Sequence, residues 1–310
     1  MSKNRVIVIG SSNTDMVVKS RSIPRPGETV IGGTFFMAAG GKGANQAVAA
    51  ARLGADVTFV AKVGTDTLGD QAVEGFLKEG IRTEFVFRDA EHATGVALIL
   101  VDDHGENSIS VASGANEFLT PADVEKAESA IAEAAVVVTQ LETPLDVLAC
   151  AGRLAAKHGV PFLVDPAPAP ATPLPVEILR LVTFLKPNEL EAEALTGIQI
   201  TDRASARMAG EKLLAAGVKA AMITLGAEGV LLVEHPGTET HFPAYRVQAV
   251  DTTAAGDAFS GALAAGLSSG KSLHDAIQIA IAAAAVSVTR IGAQPSLPTK
   301  EEAERFLERF

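Results

Sequence analysis

Short, almost uninterrupted apolar runs recur along the chain, and between them the apolar positions spread out to a helical period. The runs are "RVIVIG" (5–10), "VTFVAKVG" (57–64), "AVVVTQLE" (135–142), "VPFLVDP" (160–166), "VTFLKP" (182–187) and "AAMITLG" (220–226). Strands that are apolar on both faces belong in the middle of a parallel sheet covered on both sides. Helical spacing fills 44–53, 68–78, 121–134, 145–158 and 204–216, and a further apolar helix opens from Ala258 onward. Several of these segments end in glycine, as in "AAGV" (215–218), where a helix C-cap needs it. The alternation predicts an α/β fold, a doubly wound, mostly parallel sheet flanked by helices with right-handed crossovers.

Two regions depart from this rhythm. Residues 16–37 and 94–112 alternate apolar with polar positions, as in "TGVALILVDDHGENSISVASG" (94–114). That pattern predicts antiparallel strands with one wet face, the second pair turning at "DDHGE". Their early position predicts a small β-sheet inserted into one α/β domain spanning 1–310, as a lid, a dimer surface or both. "DPAPAPATPLP" (165–175) follows a strand and is short enough for an ordered loop.

Composition narrows the function classes. With no Trp and one Tyr, core volume falls to Ala, Val, Leu and Ile. A net charge of −11 without a long Lys/Arg run argues against nucleic acid or an anionic membrane as partner, so an anionic ligand must be held by local donors. Cys150 stands alone, which excludes an intrachain disulfide and suits a reducing compartment. The chain opens directly on a strand-like run, and its longest uncharged apolar stretch, 276–289, is too short for a bilayer, so a cytoplasmic protein is expected.

In an open parallel sheet, ligands sit at the carboxyl ends of the strands. Polar residues recur there: Asn13 and Asp15 in "GSSNTD", Gln140 and Glu142, Asp165, Lys186 with Asn188, and Thr224. Singly, Asn and Asp after a strand are turn formers; together at one edge they suit the hydroxyls of a polyol. "GGKGANQ" (40–46) joins a glycine loop and one Lys at a helix entry, but it is neither a P-loop nor the G-x-G-x-x-G of a dinucleotide site. "GLSSG" (266–270) formally matches a nucleophile elbow but follows an Ala-rich helix where a strand is required. The scattered histidines give no zinc cluster. In "NELE" (188–191), Asn188 and Glu191 read either as a capping box or as groups facing a metal–nucleotide complex.

"DTTAAGDAFSG" (251–261) carries the sharpest signal. Small residues at a helix start leave several N–H groups unshielded at the positive end of the dipole. Ala254, Ala255 and Gly256 therefore form a backbone anion hole, and Asp257 beside it is placed to take a proton. A plain helix cap has no use for "AAG".

The order and spacing of "GSSNTD", "GGKGANQA", "LKPNELE", "TLGAEGV" and "DTTAAGDAF" resemble the ribokinase-like family of carbohydrate kinases, from the first strand to "GAQPSLP" (292–298). The resemblance implies ATP-dependent phosphorylation of D-ribose at its 5-hydroxyl, with Asp257 as catalytic base. It places the sugar on Asn13, Asp15, Gly41, Lys42, Gly43, Asn45 and Glu142. Asn188 and Glu191 would organise a phosphate–Mg2+–water network, and Thr224, Gly226, Ala227, Gly229 and Gly256 would line the nucleotide site. Ile281 stands where some members set a His against adenine. A potassium ion is implied at Asp251, Thr253, Ser287, Arg290, Gly292 and Ser296, mostly through backbone oxygens. The inserted sheet matches the family's lid, which implies a homodimer with paired lids. The rival readings are a kinase for 2-deoxyribose, fructose or a nucleoside, and a non-catalytic sugar sensor.

Overall fold

Strands that are apolar on both sides are satisfied only between two helical layers, and the chain builds that arrangement. The computed structural model describes residues 4–235 and 237–309. The strands are β1 (Arg5–Ile9), β2 (Asn13–Lys19), β3 (Thr34–Gly40), β4 (Asp56–Gly64), β5 (Arg82–Asp89), β6 (Gly95–Val101) and β7 (Asn107–Ala112). β8 (Val136–Thr139), β9 (Phe162–Val164), β10 (Phe184–Leu185), β11 (Ala220–Thr224), β12 (Val230–Glu234) and β13 (Thr238–Phe242) complete them. The helices are α1 (Lys42–Arg52), α2 (Thr67–Lys78), α3 (Pro121–Lys126), α4 (Glu128–Ala132), α5 (Leu145–Lys157) and α6 (Val176–Leu179). α7 (Glu189–Thr196), α8 (Arg203–Ala215), α9 (Ala255–Ser268), α10 (Leu273–Ser287) and α11 (Lys300–Leu307) follow.

The main sheet has nine strands in the order β13-β12-β11-β10-β9-β8-β1-β4-β5. It is parallel from β11 to β5, and the β12–β13 hairpin continues it antiparallel at one edge. Side chains alternate between the layers. Val6, Val8, Phe59 and Val138 pack with α1, α9 and α10, whereas Ile7, Ile9, Val60 and Val137 pack with α3 to α5. After β1 the chain winds outward through β4 and β5, then returns to β8 and winds the other way. The reversal opens a crevice at the carboxyl ends of β1 and β8. α9 lies close enough to α1 that a Cβ on Gly261 would stand 2.5 Å from Ala49 Cβ, so only glycine permits the approach. That approach sets the first turn of α9 against Asn45 and Gln46.

The second sheet has the order β3-β2-β6-β7. Its β2–β3 and β6–β7 pairs are antiparallel as expected, but β2 and β6 run parallel, because the chain passes through the main sheet between them. Strand begins earlier than the alternation suggested, so Asn13 and Asp15 lie in β2 itself, and residues 20–33 form no strand. Two helix expectations also shift. The 121–134 segment is broken at Ala127 (φ −90°, ψ 5°), whose N–H bonds three residues back to Val124. α9 starts at Ala255, ahead of Ala258. Among the described residues no helix is long and apolar enough to cross a membrane.

Candidate active site

Ala254 caps α9 at φ 59° and ψ 13°, the one non-glycine at positive φ among the described residues. This turn aims the helix N-terminus at the crevice. The Gly256 and Asp257 N–H groups have no hydrogen-bond acceptor among the described residues, while Ala255 N–H is turned onto Thr252 O at 3.2 Å. Two free donors at the positive end of a helix are suited to an anion. Asp257 is buried beside them. Its Oδ2 accepts from Asn45 Nδ2 at 2.9 Å and its Oδ1 from Gln46 Nε2 at 3.0 Å. Burial pushes its carboxyl up to about 6; Lys42 opposes this, Asp165 adds to it, and the two amides pull it back. A carboxylate poised near neutrality can take a proton and release it again.

The residues implied for a sugar gather next to Asp257. Glu142 Oε2 accepts from Ser11 Oγ at 2.5 Å and from Lys42 N–H at 2.9 Å, which ties the end of β8 to the start of α1. Gly41, at φ 87°, caps α1 and leads through Lys42 and Gly43 to Asn45. Asp15 is pushed up to about 6 by burial, with Glu142 and Asp257 adding to it. Desolvation lowers the Lys42 ammonium, but Asp257, Asp165, Glu142 and Glu191 outweigh it, so the group is held above its ordinary value and stays charged. Asn13 Oδ1 accepts from Asn116 Nδ2 at 2.7 Å. A cavity of about 600 Å³ reaches Asn13 and Glu142, walled by Val111, Phe118, Leu141 and Pro144.

A second cavity, of about 660 Å³, starts at Lys42 and Asp257 and runs past Gly256, Asn188 and Glu191 to Thr224, Gly226, Ala227, Gly229 and Ile281. The whole implied nucleotide set therefore lines one space, with Asp257 at its inner end. Asn188 and Glu191 form a complete capping box on α7: Asn188 Oδ1 accepts from Glu191 N–H at 2.8 Å, and Glu191 Oε2 from Asn188 N–H at 2.9 Å. Glu191 is raised by burial first and by Asp165 next, with Lys186 opposing. A cation arriving with phosphates would relieve that crowding of negative charge.

The residues implied for potassium meet behind α9. Asp251 Oδ1 accepts from Thr253 N–H and Oγ1 at 2.8 and 2.6 Å, and its Oδ2 from Gly292 N–H at 2.8 Å. Gly292, at φ 91°, turns the 287–296 segment back onto that carboxylate. Burial raises Asp251, but the Thr253 and Gly292 donors outweigh it and hold the acid below its ordinary value. Three of about four lone-pair sites are thus used. Ser296 Oγ donates to Ala293 O at 2.8 Å and keeps its acceptor lone pairs. Ser287 is buried at the end of α10, and the Arg290 side chain is turned away onto Glu302 at 2.6 Å. An all-oxygen set of this kind suits a hard cation.

Several residues join the site without having been singled out for a role. Asn116 fixes Asn13 and also accepts from Ser12 N–H at 2.9 Å. Gln46 lies inside the quoted glycine motif, and Asp165 and Lys186 follow β9 and β10, where their position after buried strands was the available signal. Tyr245, Arg246 and Val247 line the second cavity from an irregular segment with no periodicity to reveal it.

A sequence model described as pfkB family carbohydrate kinase matches residues 3–300. The chain is 44% identical over 306 residues to the ribokinase of Haemophilus influenzae, covering 99% of each. It is 37% identical over 302 residues to the deoxyribokinase of Salmonella typhi, covering 97% of this chain and 98% of that one. Its fold matches the structure of Arabidopsis thaliana ribokinase complexed with ribose and ATP at a TM-score of 0.91, with 32% identity and 99% of each chain covered.

Proposed function

The chain belongs to the pfkB family of carbohydrate kinases, and from that premise we propose that it transfers the γ-phosphoryl group of ATP to the 5-hydroxyl of D-ribose, giving ribose 5-phosphate and ADP. The observation that carries the reading is the place of Asp257. It stands between the nucleotide-sized cavity and the Asn13–Asp15–Lys42–Asn45–Glu142 cluster, beside two free N–H groups at the start of α9. The ribokinases among its relatives, one of them complexed with ribose and ATP, support the substrate pair.

In this reading Asp15 and Asn13 hold sugar hydroxyls, and Glu142 keeps Lys42 and the head of α1 in place. Asp257 accepts the 5-hydroxyl proton as the oxygen attacks the γ-phosphorus. The bond to the β,γ-bridging oxygen breaks, ADP leaves, and the proton remains on Asp257 until solvent removes it. Lys42 and the Gly256 and Asp257 N–H groups lie where charge spreads over the transferred group, with Ala254 and Ala255 shaping that turn. Asn188 and Glu191 would organise the waters of a Mg2+ ion that supplies charge neutralisation with the phosphates. Asp251, Thr253, Ser287, Arg290, Gly292 and Ser296 would hold potassium, whose charge supports the α9 entrance from behind. The second sheet closes over the sugar as a lid on a single domain and pairs with the lid of a second copy.

The test is ADP release with ATP and magnesium, using D-ribose, 2-deoxyribose or fructose, with potassium present or absent. Ribose should be turned over fastest, with potassium stimulation. Asp257→Ala should lower kcat by about 10³-fold while the sugar KM changes little. The 37% identity to a deoxyribokinase makes 2-deoxyribose the second reading, and a higher kcat/KM for that sugar would establish it. No ADP release with any of the three sugars, despite measurable ribose binding, would favour the non-catalytic sugar-sensor reading.

A further inference from the structure

Gln46 stands apart from the groups that touch substrate in the proposed reaction, yet it is fully buried and its amide binds two carboxylates at once. Its Nε2 donates one hydrogen to Asp257 Oδ1 at 3.0 Å and the other to Asp165 Oδ2 at 2.9 Å. Its Oε1 accepts from Gln140 Nε2 at 2.7 Å. The orientation is dictated by chemistry: the reverse flip would aim a carbonyl oxygen at two carboxylates and an N–H at another N–H. Asp165 Oδ2 is held in turn by Lys186 Nζ and Ser260 Oγ, each at 3.0 Å.

We infer that Gln46 is the positioning residue of the phosphoryl-transfer step, fixing the Asp257 carboxylate in the rotamer that faces the acceptor hydroxyl and keeping it ionised between substrates. The inference rests on Asp257 being the base. With Oδ1 held by Gln46 and Oδ2 by Asn45, the carboxyl plane has no freedom to turn toward Lys42 or toward the ion pair of Asp165 and Lys186. The charged or titratable groups acting on Asp257 are Lys42 from α1, Asp15 from β2 and Asp165 after β9, and Lys186 after β10 is paired with Asp165. Gln46, like Asn45, is neutral, so its effect is to donate to the ionised form without adding charge. A hydrogen bond to the charged form favours that form, so removing the donor makes the base harder to ionise.

The experiment is the pH profile of kcat and of kcat/KM with the parent, Gln46→Met, Gln46→Glu and Asp257→Ala. Gln46→Met removes both donors at similar volume. Gln46→Glu keeps the shape and adds an acid to the pair. Both should move the acidic limb upward by roughly one to two pH units, the equivalent of one lost charge-assisted hydrogen bond. Each should regain most of its rate at alkaline pH with the sugar KM within about twofold, the split of transition-state from ground-state binding. A rate lowered equally at every pH, or a raised KM with an unmoved limb, would overturn the proposal. So would a loss of folding in both variants by circular dichroism, which would make Gln46 a core residue only. Asp257→Ala separates the two readings. If it keeps the parent's rate and profile, the base assignment fails; if it is inactive and the Gln46 limb stays put, only the positioning role fails.

Discussion

In the proposed mechanism Asp257 is under two opposed demands, because the burial that would tune it as a base also costs stability. Its folded-state value of about 6 lies above the ordinary 3.8, as does that of Asp15. A carboxyl raised in the folded state binds its proton more tightly there than in the unfolded chain. These two groups therefore favour folding below about pH 4, and their contribution falls as pH rises to 6 and is gone above it, by about 2–3 kcal/mol each. Asp257→Asn removes one of them. Its stability relative to the parent should rise between pH 5 and pH 8, read as the difference in melting temperature; a difference independent of pH would contradict the buried, ionisable base. Asn116 gives a second case at this scale. Asn116→Leu leaves Asn13 Oδ1 and Ser12 N–H without partners, and should raise the sugar KM by about tenfold with kcat little changed. An unchanged KM in steady-state assays would show that Asn13 needs no such support. The place of Asp257 at the entrance of α9 was legible because its small neighbours are unusual at a helix start. Gln46 and Asn116 were not, since their partners lie 211 and 103 residues away in the chain.

The elements explain how a helix start becomes a site. The strain at Ala254 is local: an L-residue in the left-handed region costs on the order of 1–3 kcal/mol and persists only where neighbours enforce it. Here Thr252 O, held by Ala255 N–H, and the first bond of α9, Ala258 N–H to Ala254 O at 2.8 Å, enforce it. Ala254→Val puts a β-branched side chain at positive φ. It should lower stability by about 2 kcal/mol in a urea titration and cut kcat sharply, because the Gly256 and Asp257 N–H groups lose their aim. Behind the turn, the Asp251 clamp joins the segment after α10 to the one before α9. If potassium binds there as proposed, Asp251→Asn should reduce its stimulation of activity over tetramethylammonium by about tenfold while activity without potassium stays near the parent's. A retained potassium response would place the cation elsewhere. At this scale the buried strands and most of the long helices were legible from periodicity, whereas α10 was read only as an apolar stretch because its Ala- and Ile-rich run carries little helical period. β12 and β13 were not, because an edge hairpin needs only short mixed runs, and the Ala127 break leaves the apolar spacing intact.

At the scale of the whole molecule, the second sheet is the part that the single chain leaves uncovered. Asp15 and Val17 lie on its face toward the site, so strand alternation places Met16, Met37 and Leu98 in one row on the reverse face, with Phe35 beside them. Phe35 is 59%, Met37 44% and Leu98 55% exposed, and no substrate can reach that side to cover them. Contiguous apolar surface of this kind on a chain carrying a net charge of −11 marks a contact surface. The alternation in 16–37 and 94–112 announced a sheet with two differently used faces, but the parallel β2–β6 pairing that builds the row depends on the path through β4 and β5. The proposed pairing of two copies across the row would also steady β2, which carries Asn13 and Asp15. Light scattering after size exclusion should therefore give twice the chain mass of 31.9 kDa at micromolar concentration. Phe35→Glu with Leu98→Glu should give a single-chain mass, an unchanged melting profile for the main domain and a sugar KM raised by several-fold. A parent that runs as one chain would end the pairing argument, whereas a dimeric double variant would move the interface to another face.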